Sequence, residues 1–168
     1  MKDTRPVEAK GILFLLTNRK ELAEDVMARF TSLLGEVEHK SAWHPFENKY
    51  YEEEMGPNLE RCLVCFENIF EPWRLAELKE LAKEMESHPR TINIDPGYVD
   101  LSKVVLASGK GGGQKIALAQ NIYAHTVLRY EKGKWIPSDG TFPDLKEETY
   151  HRDLLKIRAA LKESANRL

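Results

Sequence analysis

The run Gly11–Thr17, GILFLLT, constrains this chain more than any other stretch. It carries no charge and does not alternate, which is the pattern of a short strand buried on both faces. Everything around it has to be read for what encloses it. The polar lead Met1–Lys10 reads as a loosely attached, flexible segment. At 168 residues the chain suits one domain, 1–168, able to bury about 70% of its unfolded surface without a disulfide or metal staple.

After the run, Leu22, Val26, Phe30, Leu33 and Leu34 recur at three- and four-residue spacing, the signature of an amphipathic helix from Glu21. Thr17 or Asn18 is placed to cap it, and Gly35 to end it. Val37–Met55 is longer and aromatic. Pro45 argues against one regular central strand, so the segment reads as a strand, a loop near His44–Asn48 and a resumed strand. Gly56-Pro57-Asn58 signals a turn, and Leu59–Ile69 reads as the returning strand of a hairpin. Pro72 sits near the start of a second helix with Leu75, Leu78, Leu81, Ala82 and Met85 on one face. His88-Pro89 stops it, and Thr91–Ile94 is a fourth strand.

That order, βαββαβ, is the ferredoxin-like sandwich. Arg90–Ser108 then acts as a hinge between two halves of the chain. Beyond the expected Asp95-Pro96-Gly97-Tyr98 turn come KVVLAS, QKIALAQ, NIYAHTVLRY and WIP, an antiparallel β-meander. Strict alternation along Ile122–Tyr130 puts Tyr123, His125, Val127 and Arg129 on one face. A helix from about Lys146 carries the stripe Tyr150, Leu154, Ile157 and Leu161, widened by Leu155. The expected fold is therefore α+β: a ferredoxin-like core extended by an antiparallel meander, with a C-terminal helix.

Charge and cysteine content narrow the function classes. With 25 basic and 27 acidic residues the net charge is −2, which creates no global field for nucleic acid or anionic lipid. No apolar run is long enough for a membrane span or a signal-peptide core, so a cytoplasmic location and no membrane partner are expected. Cys62 and Cys65 form a C-x-x-C. A zinc site needs further ligands, and His39, His44, His88, His125 and His151 are scattered singly. On a strand the two cysteines point to opposite faces, as small core residues. Trp43, Trp73 and Trp135 read as core or rim anchors.

Three segments could carry chemistry. SGKGGGQK, 108–115, has the glycines and lysines of a phosphate-wrapping loop but opens no helix; it reads first as a flexible hairpin loop between two strands. YYEEEMG, 50–56, placed on a strand, offers either paired carboxylates or a solvated edge. Arg90, Asn93, Asp95, Tyr98 and Lys103 crowd the third segment, where turn formation alone accounts for Asp95.

YYEEEMG, the Leu59-x-Arg61 after it, RTINIDPGYVDLSKVVLAS at 90–108, IYAHTVLRY with Gly133, and TFPD at 141–144 together resemble an uncharacterised bacterial family, the domain of unknown function DUF4416. The resemblance carries no activity and no cofactor. It groups Glu53, Glu54, Arg61, Arg90, Asn93, Asp95, Tyr98, Lys103 and Asp144. It also marks departures: Gln114-Lys115 stands where the family has a His-Arg pair, His125 where it has Glu, and TFPDL where it has a TYPDY-like motif.

The leading expectation is a protein that binds a small anionic ligand, phosphorylated compounds among the candidates, through Glu53, Arg61, Arg90, Asp95, Tyr98, Lys103, Lys115 and Asp144, with no metal named. One alternative is a metal-assisted hydrolase or transferase using Glu53, Glu54, Asp95 and Asp144. Another is a non-catalytic domain whose 43–55 segment forms a protein interface. Geometrically, the fourth strand should lie at the centre of a cleft.

Overall fold

The computed structural model describes residues 7–166. It is an α+β protein built on one large antiparallel sheet of nine strands, with five α-helices. The strands are β1 (Ala9–Thr17), β2 (Val37–Lys40), β3 (His44–Pro45), β4 (Glu60–Phe70), β5 (Ile92–Val99), β6 (Lys103–Ser108), β7 (Ile116–Ala119), β8 (Ile122–Glu131) and β9 (Lys134–Pro137). The helices are α1 (Lys20–Leu34), α2 (Lys49–Met55), α3 (Leu75–Met85), α4 (Pro143–Lys146) and α5 (His151–Asn166).

The sheet order is β2-β4-β1-β5-β6-β8-β7, with β3 also on β4 and β9 also on β8. The apolar run is β1, between β4 and β5, and every one of its nine residues is buried. Its two faces are enclosed separately. Leu13 and Leu15 pack with Val26, Phe30, Leu78 and Ala82 of α1 and α3. Ile12 and Phe14 pack with Leu145, Tyr150, Leu154 and Ile157, from α4 to α5. Cys62 joins the first cluster and Cys65 the second, and burial pushes both thiols up to about 12.

Several local expectations need correction. The lead Met1–Lys10 is not wholly outside the fold: Ala9 and Lys10 begin β1, and Lys10 Nζ donates to the Glu67 carbonyl at 2.6 Å and pairs with Glu38 at 3.2 Å. Residues 1–6 lie outside the described part. Neither Thr17 nor Asn18 caps α1; Asn18 Nδ2 donates to the carbonyls of Met55 and Pro57, tying down the end of α2. Gly35 does end α1, at φ +84°. The second half of 43–55 is not a strand but α2, capped by Asn48, whose side chain accepts from the Tyr51 amide. A bulge between Val104 and Val105 breaks the alternation along β8, so Val127 and Leu128 enter the same core cluster. The last helix begins at His151 and not near Lys146; its stripe is buried, but Leu155 stays 39% exposed. Trp135 is buried and Trp43 packs against the core, while Trp73 is exposed.

The largest correction is Asp95-Pro96-Gly97-Tyr98, which is no turn. It runs straight through β5, and Phe14 to Gly11 of β1 lie opposite it in unbroken register. The alternative use of that sequence lies on the other edge. The Ile94 amide leaves β1 and meets Glu86, just past the end of α3, at 3.4 Å, so even-numbered amides of β5 point away from β1. Pro96 falls in that series, and its missing donor costs the β1 ladder nothing. Gly97 is needed for approach: a Cβ there would lie 2.2 Å from the Val105 carbonyl oxygen.

Candidate functional site

β5 and β6 are joined as a hairpin only along Gly97–Val99 and Val104–Leu106. Beyond that the arms part. Ile92–Pro96 stay with β1, while Ala107 and Ser108 stay with β8. The opening is a cleft of about 590 Å³, within the range of small-molecule sites. Asn93 and Asp95 line one arm and Leu106–Ser108 the other. Lys79 and Lys83 of α3, with Glu86 just after it, enter from one side, Tyr50 and Tyr51 of α2 and Thr141-Phe142 from elsewhere around it.

The floor is an ion-pair network. Arg61, 2% exposed, donates to both carboxylate oxygens of Asp144 at 2.9 Å and lies 3.5 Å from Asp95. Its guanidinium stacks over Phe14 at 4.5 Å and Phe142 at 5.1 Å. Burial works against the charged guanidinium, but Asp144 and Asp95 outweigh it and hold its pKa above the usual arginine value. Tyr150 donates its hydroxyl to the Arg61 carbonyl at 2.9 Å. Asp95 also accepts from Asn93 Nδ2 at 3.0 Å and faces Lys79 at 3.8 Å. Arg90 is held by a two-pronged bond to Glu54, at 2.8 and 2.7 Å, and by Asn93 at 2.6 Å. Burial raises the pKa of the Glu86 carboxyl despite Lys79 and Arg90 nearby. Burial, then Asp95, pushes the Tyr51 hydroxyl up to about 12, so it stays a donor.

The opposite rim is basic. SGKGGGQK does not form a hairpin, because β6 and β7 flank β8 and do not pair with each other. The loop crosses β8 at Tyr123, where a side chain on Gly111 would come within 2.7 Å of the ring. It is folded locally: Lys115 Nζ donates to Ser108 Oγ and to the Lys110 carbonyl, at 3.1 and 2.9 Å. Lys110 Nζ lies 4.8 Å from the Tyr50 ring centre, across the mouth. Lys83 donates to the Asn121 carbonyl, and its Cε is 3.9 Å from where a Gly109 side chain would begin. Burial, then Lys115, lowers the His125 pKa, which favours the neutral ring.

Of the residues expected from sequence, Arg90, Asp95 and Lys115 line the cleft, and Arg61 with Asp144 forms its backing. Glu53, Tyr98 and Lys103 do not join them. Glu53 is exposed on α2, because that segment is helical. Tyr98 turns to the α1–α3 face, near Phe70. Lys103 pairs with Asp100 at 2.7 Å, at the closed end of the hairpin. Glu53, Glu54, Asp95 and Asp144 are not a metal set: Glu54 is taken by Arg90 and Asp144 by Arg61. Among the described residues no group of three or more His, Cys, Asp or Glu side chains is arranged to hold a metal ion.

Lys79 and Lys83 were not expected. The signal available was position 79, four residues after Leu75 and beside Leu78 on the apolar stripe of α3, an odd place for an unpaired lysine. Among the described residues no helix is long and apolar enough to cross a membrane. A family model described as a domain of unknown function, DUF4416, matches residues 7–160. No curated protein and no solved structure matches the chain.

Proposed function

We propose a function for this chain, which belongs to the DUF4416 family, from its cleft: it binds a small anionic, phosphorylated ligand between the arms of β5 and β6. Five cationic side chains and two carboxylates line the cleft, a formal excess of three positive charges. Counting Glu54 against Arg90 leaves the excess positive.

The observation that carries the reading is the rim. Lys83, Lys110 and Lys115 gather around Ser108–Lys110 with no carboxylate within ion-pair distance among the described residues. Lysines on one rim without a carboxylate partner leave a positive potential there, which an entering anion would relieve. A phosphate, with several acceptor oxygens and up to two charges, suits three separate donors better than a single carboxylate does. The neighbouring Ser108 hydroxyl adds a neutral donor.

Thermal melts with inorganic phosphate, phosphomonoesters and carboxylates test this. A phosphorylated compound should raise the melting temperature by mass action, less so at high salt. Lys110→Ala and Lys115→Ala should each reduce the shift. A folded protein that responds to no phosphorylated compound overturns the reading.

The finer description of the fold belongs here too. The β2-β4-β1-β5 order, all antiparallel with α1 and α3 on one face, supports a ferredoxin-like core. Two buried, unpaired thiols are consistent with a cytoplasmic setting.

A further inference from the structure

Lys79 is the most deeply buried of the cations that line the cleft. Its side chain is only 8% exposed, yet its nearest partner is Asp95 Oδ1 at 3.8 Å, beyond hydrogen-bonding distance. Its ammonium reaches the cleft and makes no hydrogen bond among the described residues, so its three donors are left for water or a bound group. Asp95 Oδ2 is already engaged by Asn93 and Arg61, which leaves Oδ1 facing Lys79 across the gap.

The gap selects for one chemical group. An anionic oxygen placed there would meet Lys79 but be repelled by Asp95. An ammonium would meet Asp95 but be repelled by Lys79. A carbonyl can satisfy only the lysine. A hydroxyl can do both, accepting from Lys79 and donating to Asp95. With ordinary hydrogen-bond lengths to each side, an oxygen bridging 3.8 Å subtends an angle of about 85°, open enough for both bonds. Asn93 and the protonated Tyr51 hydroxyl stand near for further hydroxyls.

We infer that the ligand is a phosphorylated polyol, of the sugar-phosphate class. Its phosphate sits at the Lys83–Lys110–Lys115 rim, and one of its hydroxyls bridges Lys79 and Asp95. The assignment rests on the anion-binding reading above and adds the body of the ligand to it. It also fixes orientation, since Asp95 and Glu86 reject the phosphate from the inner end and the rim attracts it outward.

The test is calorimetric titration with ribose 5-phosphate, glucose 6-phosphate, methyl phosphate and glucose. At least one sugar phosphate should bind roughly tenfold or more tighter than methyl phosphate, the value of one hydrogen bond to a charged group. Lys79→Met should remove that advantage while weakening methyl phosphate only a few-fold, because one of the five cleft cations is lost but the three rim lysines remain. Asp95→Asn, a gentler change, should remove most of it and guards against a Lys79 variant that misfolds. Lys110→Ala should weaken both phosphates alike. If methyl phosphate binds and no sugar phosphate improves on it, the polyol assignment fails while the anion site stands. If Lys79→Met folds and keeps the full advantage, the assignment fails as well. If no phosphate binds to the folded protein, both readings fall.

Discussion

Replacing Arg61 by Met removes a buried charge while keeping an unbranched side chain over the Phe14 ring. What it leaves behind sets the cost. Asp144, 13% exposed, loses both of its 2.9 Å bonds, and Asp95, 18% exposed, loses one of its two cations. Breaking a buried pair from one side costs about 3–5 kcal/mol. Both carboxylates keep some water, and Asp95 keeps Lys79 and Asn93, so the lower end applies, about 3 kcal/mol. Asp144→Asn keeps the shape and one acceptor and should cost about 1.5–3 kcal/mol. In the double variant no carboxylate at 144 is stranded, so the combined loss should fall short of the sum by about 1 kcal/mol or more. Urea unfolding followed by circular dichroism measures all three, with the slope against urea held constant as the check on two-state behaviour. In a chain of this length Arg61→Met should lower the melting temperature by roughly 6–12 °C. Additive losses, or a cost for Arg61→Met below about 1 kcal/mol, would refute the claim that this pair is buried and coupled.

Gly97→Ala drives a methyl against the Val105 carbonyl oxygen; it should cost about 1–3 kcal/mol and weaken amide-exchange protection at Gly97–Val99 before the β1–β4 ladder is affected. Burial raises the folded pKa of Glu86 above its unfolded value, so its contribution is favourable at low pH and is lost as pH rises from the ordinary carboxylate range through that higher value. Glu86→Gln should therefore gain stability relative to the native chain across that interval and level off above it, in melts from about pH 4 to pH 7. Leu154→Ala should cost about 2–5 kcal/mol, whereas Leu155→Ala, one residue along but 39% exposed, should stay under about 1 kcal/mol; chemical unfolding separates them.

The elements that local pattern identifies are those whose burial follows from their own residues. β1 is apolar throughout, α1 and α3 carry three-and-four stripes, and Gly35 marks a stop, so each could be read without its neighbours. α2 was lost because Tyr50, Tyr51 and three glutamates have no apolar periodicity; only the Asn48 cap signals it. The Asp-Pro-Gly stretch favours a turn in isolation, and pairing with β1 overrides that preference. The candidate site divides along the same line. Arg61, Arg90, Asp95, Lys115 and Asp144 stand in polar or family-like motifs and were legible. Lys83 lies on the side of α3 that looks solvated, and Lys79 on its apolar stripe; neither declares a role until the gap between β5 and β6 is known. Glu53 belongs to the family-like YYEEEMG motif as Glu54 does, but α2 turns it to solvent.

Extending the β5–β6 hairpin by one more residue in the existing register would set Pro96 opposite Ala107. That rung needs an amide proton from position 96, and proline has none. The main chain thus withholds one of the bonds that would carry the hairpin further. An amide proton at 96 would supply the bond that proline lacks and favour pairing toward Ser108, a change made without altering any side chain that lines the cleft.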